Sequence, residues 1–430
     1  MRITPLRGYR YGIGRERDLT KVVAPPYDQI TPAMQERLHA MSPANIVRVS
    51  YPADQPRPGE TTDKYVRANE TLEGWLRDGV WAREESPAIY PYTQTYRAGG
   101  REVTRTGFVA LGEVSDYARG IVLPHERTHA GPKQDRMRLL QSTGADIGLL
   151  FMLTADPGGE LRAATAGTGV PIAEARDLRG ELHRLWRITE PGAIARVQAL
   201  MDPASVIIAD GHHRYETAVE YARRHPGRER KLMAFFTLEA PGLTIFANHR
   251  LVHDVGGFSL AKLREDASRW FDVTPLPDPS AFRPTPTRIG VVAGAEAAVF
   301  ALRAGDAPQI AWPAGTSVAW RRLAVSILHE GLLRPLLGID HAKLEAGSHV
   351  DYTADQDDAV RAARAGRYQA AFLIAPTTPV ELQAVVRGGE LLPQKSTHFY
   401  PKLLDGLVFA RFAVEAPVET SGAGRSGEER

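Results

Sequence analysis

Apolar and polar positions run through this chain in two rhythms, one helical and one extended. In Tyr65 to Arg77, Val66, Leu72, Trp75 and Leu76 fall at roughly helical intervals. TPAMQERLHA predicts another helix, with Thr31 as N-cap and Pro32 in its first turn. PKQDRMRLLQSTGAD, ITEPGAIARVQALM, YETAVEYARRH (Tyr215 to His225) and LAKLREDASRWF predict more helices. Apolar runs in IGLLFMLTAD, SVIIAD, KLMAFFTLEA and LTIFANHRLV predict strands. AIYPYTQTYRAGGREVTRTGFVALGEV predicts a hairpin turning at Gly99-Gly100. ANIVRVSYP predicts a short alternating strand, and GHHR, after SVIIAD, a tight polar loop.

The mixture predicts a mixed α/β (α+β) fold. The pattern restarts after Gly256-Gly257, where LAKLREDASRWF leads into the Pro-rich PLPDPSAFRPTPT and then alternating strands and helices. This predicts one domain over 1–255 and a second, smaller α/β domain over 256–414. The polar, Gly-rich segment 415–430 is expected to be a disordered tail.

With 430 residues, 43% hydrophobic and 24% charged, the chain is long enough for two cores and excludes a fibrous or disordered protein. Fifty-three Lys+Arg against 51 Asp+Glu is too balanced to predict a nucleic-acid or membrane-surface partner. Zero cysteines excludes disulfides, thiolate metal sites and a Cys nucleophile. Without a signal-like apolar start or a transmembrane-length apolar run, the expected location is cytoplasmic.

Candidate chemistry concentrates in four segments. In SVIIADGHHRYE a strand ends at Asp210 and Gly211, followed by His212, His213 and Arg214 at a helix start. Helix N-termini favour anions, Gly allows close approach, and Arg214 can offer a forked pair of hydrogen bonds to phosphate. The same residues also fit a helix capped by Asp210, with Arg214 paired to a carboxylate. LPHERTHAGPKQDRMR carries Glu126 as a candidate general base, with Lys133, Arg136 and Arg138 nearby. It equally suits a solvated basic helix with a charge-paired glutamate. Its HERTH matches a zinc-protease pattern that works only on a helix, and Gly131-Pro132 cuts that helix short. APPYDQI presents Asp28 on a stiff turn. LPQKSTHFYPKLLDGL gathers Lys395, Ser396 and Thr397, with Lys402 nearby, into a phosphate-friendly cluster that lacks a P-loop's glycines. NHR, Asn248 to Arg250, is a weak signal alone.

VVAPPYD, LPHERTHAGPKQDR, IADGHHRYETA and LPQKSTHFYPKLLDGL, in that order, resemble the bacterial and archaeal domain-of-unknown-function 1015 family, over about residues 5 to 412. More distantly, DGHHR resembles the phosphate-binding signature of the ParB/sulfiredoxin superfamily, which includes free-serine kinases. That resemblance implies a ParB-like N-terminal domain in which Asp210, Gly211, His212, His213 and Arg214 hold donor phosphates and the Mg²⁺ environment. Lys395, Ser396 and Thr397 join them, Glu126 is the first candidate base, Asp28 the second, and His213 a further catalytic residue. Sulfiredoxin chemistry needs a cysteine between the loop Gly and His, which this chain lacks, and no DNA-reading domain is evident. The expected function is a small-molecule phosphotransferase taking phosphate from a nucleotide or pyrophosphate to a small hydroxyl substrate, free serine first. The alternative is a non-catalytic nucleotide-sensing protein. Resident metal ligands and oligomeric state are not predicted.

Overall fold

The computed structural model describes residues 1–12, 18–56, 59–127, 130–305 and 309–412. The segment read as a disordered tail lies outside them.

The fold is mixed α/β, built on a nine-stranded sheet and a six-stranded sheet with several two-stranded ribbons. The large sheet runs in the order Val122–Leu123, Val206–Asp210, Leu150–Thr154, Arg230–Thr237, Arg101–Glu113, Tyr90–Ala98, Leu182–Leu185, Ala173–Arg176, with Ile3–Thr4 also pairing along Arg101–Glu113. Its middle strands are buried on both faces, which is why they read as continuous apolar runs. Phe151, Leu153, Ile207, Ala209 and Phe236 point to one core; Leu150, Met152, Val206, Ile208 and Phe235 point to another, the period-2 alternation of extended backbone. The second core is closed by helices Pro191–Met201 and His212–Arg224, through Ile194, Val197, Met201, Tyr215 and Ala218.

The smaller sheet is antiparallel throughout: Phe271–Pro275, Glu296–Leu302, Arg288–Ala293, Ala370–Leu373, His249–Val252, Val350–Thr353. The chain then returns to the large sheet's side. His398–Tyr400 pairs with Thr244–Phe246, and Ala410–Arg411 with Ala145–Asp146. That return brings the LPQKSTHFYPK segment against elements far earlier in sequence.

The hairpin turns at Gly99-Gly100, both at positive φ, and Thr31 caps Pro32–Met41 by accepting from the Met34 N–H. Two expectations are corrected. ANIVRVSYP is not a strand: Val47–Ser50 is a helical turn. Asn45 holds it there, accepting from the Val47 N–H and donating to the carbonyls of Lys21 and Val23, so a local side-chain-to-backbone hydrogen bond overrides β-branched propensity. GHHR is not a loop either. The helix starts at His212, and His-His-Arg is its first turn.

Candidate functional site

The strand Val206–Asp210 and the helix His212–Arg224 meet at Gly211, whose φ of 98° and ψ of 28° lie in left-handed space. A Cβ there would stand 2.7 Å from Leu150 Cδ2 and 3.1 Å from Arg214 Nη2, so only glycine makes this turn. No side chain caps the helix at Gly211, so Asp210 is not its cap. The first turn of the helix lines a cleft together with Asp28, Glu126, Asp210, Lys395 and Lys402, among others. All four candidate segments thus meet in one place.

Asp210 sits between two cations. Its Oδ1 accepts from Lys402 Nζ at 2.6 Å and its Oδ2 from Arg214 Nη2 at 2.8 Å. Burial opposes its charge, but Lys402 and Arg214 outweigh burial and hold the carboxyl well below the usual range. Arg214 is buried; its Nη1 donates to the Leu149 carbonyl at 2.6 Å. Both ends of its fork are therefore engaged inside the protein. Of the two readings, the carboxylate-paired one describes the arrangement: Arg214 fixes Asp210, which in turn fixes Lys402.

The histidines form a second layer. His125 is fully buried, with Nδ1 2.6 Å from the Ile208 carbonyl and Nε2 2.9 Å from Thr397 Oγ1. A carbonyl only accepts, so Nδ1 carries the proton and Nε2 takes the Thr397 hydroxyl. Burial pushes its pKa down, consistent with a neutral ring. His212 Nε2 accepts the His125 backbone N–H at 3.3 Å, and burial, with His125 beside it, keeps His212 neutral too. Both His212 and His213 line the cleft, His212 as a buried part of its wall and His213 less buried. The zinc-protease pattern does not form: His125 and Glu126 lie outside any helix, and both ring nitrogens of His125 are engaged. His129 lies outside the described residues.

The Lys395–Thr397 turn is held from behind. Asn248 Nδ2 donates to the carbonyls of Lys395 at 3.0 Å and Thr397 at 3.1 Å. Arg250, fully buried, donates to the carbonyls of Asn248 and Gln394, its pKa lowered by burial to about 10. Lys395 sits at φ 55° and is exposed at the cleft. Ser396 does not line the cleft, contrary to its expected place. It is buried, and its hydroxyl donates to the Pro393 carbonyl. His398 also lines the cleft, and burial takes its pKa down to about 4.

Lys402 is positioned by residues that sequence reading missed. Gln94 Nε2 donates to its carbonyl at 2.8 Å, while Arg105 donates to the carbonyls of Tyr400 at 3.1 Å and Pro401 at 2.7 Å. Arg105 is fully buried over the rings of Phe151 and Phe236. One signal was available: Gln94 falls in phase with the buried tyrosines 90, 92 and 96, a polar residue on the core face of its strand.

Of the basic residues after Glu126, Arg127 lines the cleft, whereas three others are paired elsewhere. Lys133 meets Glu216, Arg136 meets Asp135, and Arg138 lies 3.7 Å from Asp63. They do not hold a cleft anion.

Among the described residues, no helix is long and apolar enough to cross a membrane. A search of curated proteins returned no match. Solved structures resembling the chain include a conserved hypothetical protein from Pyrococcus furiosus, 12% identical, TM-score 0.36, covering 71% of this chain and 95% of that one. A free serine kinase in complex with AMP is 12% identical, TM-score 0.38, with 71% and 92% covered. SbnI with a C-terminal truncation, from Staphylococcus aureus, is 11% identical, TM-score 0.33, with 69% and 85% covered. A family profile described as protein of unknown function, DUF1015, matches residues 3–326, a span that takes in three of the four motifs. The chain belongs to the DUF1015 family.

Proposed function

We propose that this cleft binds the phosphates of a nucleotide or pyrophosphate donor and passes one phosphoryl group to a small hydroxyl acceptor, with free serine the first to test. The observation that carries this reading is the convergence of four separate segments on one helix start without a side-chain cap, flanked by Lys395 and Lys402 and faced by two carboxylates. The resemblance of DGHHR to phosphate-binding signatures supports it.

Phosphoryl transfer needs positioning and charge neutralisation more than covalent chemistry. The first-turn N–H groups and Lys395 hold the donor phosphates, with His213 beside them. The acceptor oxygen forms a bond to phosphorus as the bond to the leaving phosphate oxygen breaks with its electron pair. The acceptor's proton goes to Glu126, with Asp28 the second candidate. Glu126 lies at the cleft wall, 4.0 Å from His125 Nε2.

Mg²⁺, which the resemblance implies, fits as an ion carried on the donor phosphates rather than as a resident. Both Asp210 oxygens are held by protein cations, and among the described residues no three His, Asp or Glu side chains converge on a metal position. Magnesium commonly takes one or two carboxylates plus phosphate oxygens, which Glu126 or Asp28 would supply. When bound it neutralises phosphate charge.

The test is ³¹P NMR of the protein with Mg²⁺, free serine and ATP, ADP, CTP or pyrophosphate in turn. A new phosphomonoester signal that needs serine and disappears in Lys395→Ala supports the transferase. Donor broadening without product favours the sensing alternative, and unperturbed donors refute both.

A further inference from the structure

A second cavity shares Tyr27 and Arg214 with the phosphate cleft but differs in character. Its walls are largely apolar, with Leu139, Leu140, Ile147 and Ala218 among them. It runs beside the helix His212–Arg224, whose Arg214, Thr217, Ala218 and Tyr221 face it, the i, i+3, i+4, i+7 stripe of one helical face. Two buried carboxyls reach it, Asp146, which is held by Lys231 and the Leu232 N–H, and Asp405. Among the described residues, no hydrogen bond is made to the Asp405 carboxyl. Its cationic neighbours are engaged elsewhere: Arg214 with Asp210, Arg136 with Asp135, and Lys231 with Asp146. A buried polar group without a partner is costly, and a ligand that supplies one recovers that cost.

We infer that this cavity receives the base of a nucleoside di- or triphosphate whose phosphates lie at the start of the helix, with Asp405 hydrogen-bonding the base's polar edge. The inference rests on the phosphate-binding reading of the neighbouring cleft. Geometry supports it: from His212 to Ala218 the helix rises about 9 Å, comparable with the reach from a nucleotide's phosphate to its base. A largely apolar chamber in which the Asp405 carboxyl has no hydrogen-bond partner suits a flat, mostly apolar ring with a hydrogen-bonding edge. Burial pushes the Asp405 pKa up to about 7, so near neutrality a fraction is protonated and able to donate as well as accept.

The test compares ADP with pyrophosphate. In protein carrying ¹³C-labelled alanine methyl groups, ADP is expected to shift the Ala145 and Ala218 signals and pyrophosphate to leave them in place. By calorimetry, Ala218→Phe, which fills the cavity, is expected to weaken ADP by about tenfold more than pyrophosphate. If both ligands move the same methyls, or the substitution weakens both equally, the base lies elsewhere while the phosphate reading stands. If the parent binds neither ligand, both readings fall. The methyl measurement uses the unaltered chain, so a misfolded variant does not rescue the inference.

Discussion

Lys402 donates to Asp210 across 192 residues of chain, at 2.6 Å, on the oxygen that Arg214 leaves open. Two cations on one half-buried carboxylate make a unit in which no member is dispensable. Lys402→Met leaves Asp210 with half its compensation and is expected to cost about 2–4 kcal/mol, less than breaking a fully buried pair because both partners are partly exposed. Asp210→Asn alone strands Lys402 and Arg214. The double variant should recover part of the loss, giving a coupling of about 1–3 kcal/mol in urea unfolding. Strict additivity would show that the contact does not stabilise the fold.

Gly211 sits where a methyl group collides with Leu150 and the backbone is left-handed. Gly211→Ala should therefore lower stability by about 1–3 kcal/mol and, by shifting the first helical turn, weaken pyrophosphate by about tenfold. Unchanged affinity in a folded variant would remove the helix start from the binding site.

The site was more legible than the framework behind it. Strand, glycine and helix around Asp210 follow from apolar run, breaker and periodicity, all local signals. What local reading missed is long-range. Asn248 clamps a turn about 150 residues away in sequence, and Arg105 braces Tyr400 and Pro401 from a strand whose alternation shows only that it is half buried. Ser396 looked like a phosphate ligand because composition does not show which way a turn faces. Arg214 looked like a phosphate clamp because its true partner, Asp210, lies one helical turn earlier and can be read either way. The β-branched residues of Val47–Ser50 point to a strand, while the contacts that fix it as a helical turn come from Asn45 onto a separate segment.

Asp405 makes stability depend on pH in an unusual direction. Its folded pKa, about 7, lies above the ordinary 3.8 because burial outweighs the attraction of Arg214, Arg136 and Lys231. A group raised on folding stabilises most below its unfolded pKa, and that contribution is lost as pH climbs from about 4 through 7. Asp405→Asn removes the buried acid. It should match the parent near pH 4 and be more stable near pH 8, by up to about 4 kcal/mol. Asp210 acts the opposite way, but both proteins keep it, so the difference isolates Asp405. Equal stability of the pair at pH 8 would refute the raised pKa.

Thr397 gives its hydroxyl proton to His125 Nε2. In Thr397→Val that nitrogen loses its donor in a buried place, an expected cost of about 1–3 kcal/mol. The imidazole ¹⁵N shifts should report Nδ1–H in both proteins, since the Ile208 carbonyl still selects that tautomer. Protonation at Nε2 in the parent would reverse the direction assigned to the Thr397 contact.

Glu126 and Asp28 compete for the role of base, and their positions separate them. Asp28 is exposed on the Tyr27–Gln29 turn, whereas Glu126 is partly buried beside His125. A carboxylate that takes the acceptor's proton acts only in the transition state. Its loss should lower kcat by about 10²- to 10⁴-fold while donor KM changes little. Glu126→Gln is expected to behave this way, and Asp28→Asn to shift KM more than kcat. The reverse pattern would move the proton to Asp28. Two variants with parental kcat would leave the cleft with a bound nucleotide and no transfer, as the sensing alternative requires.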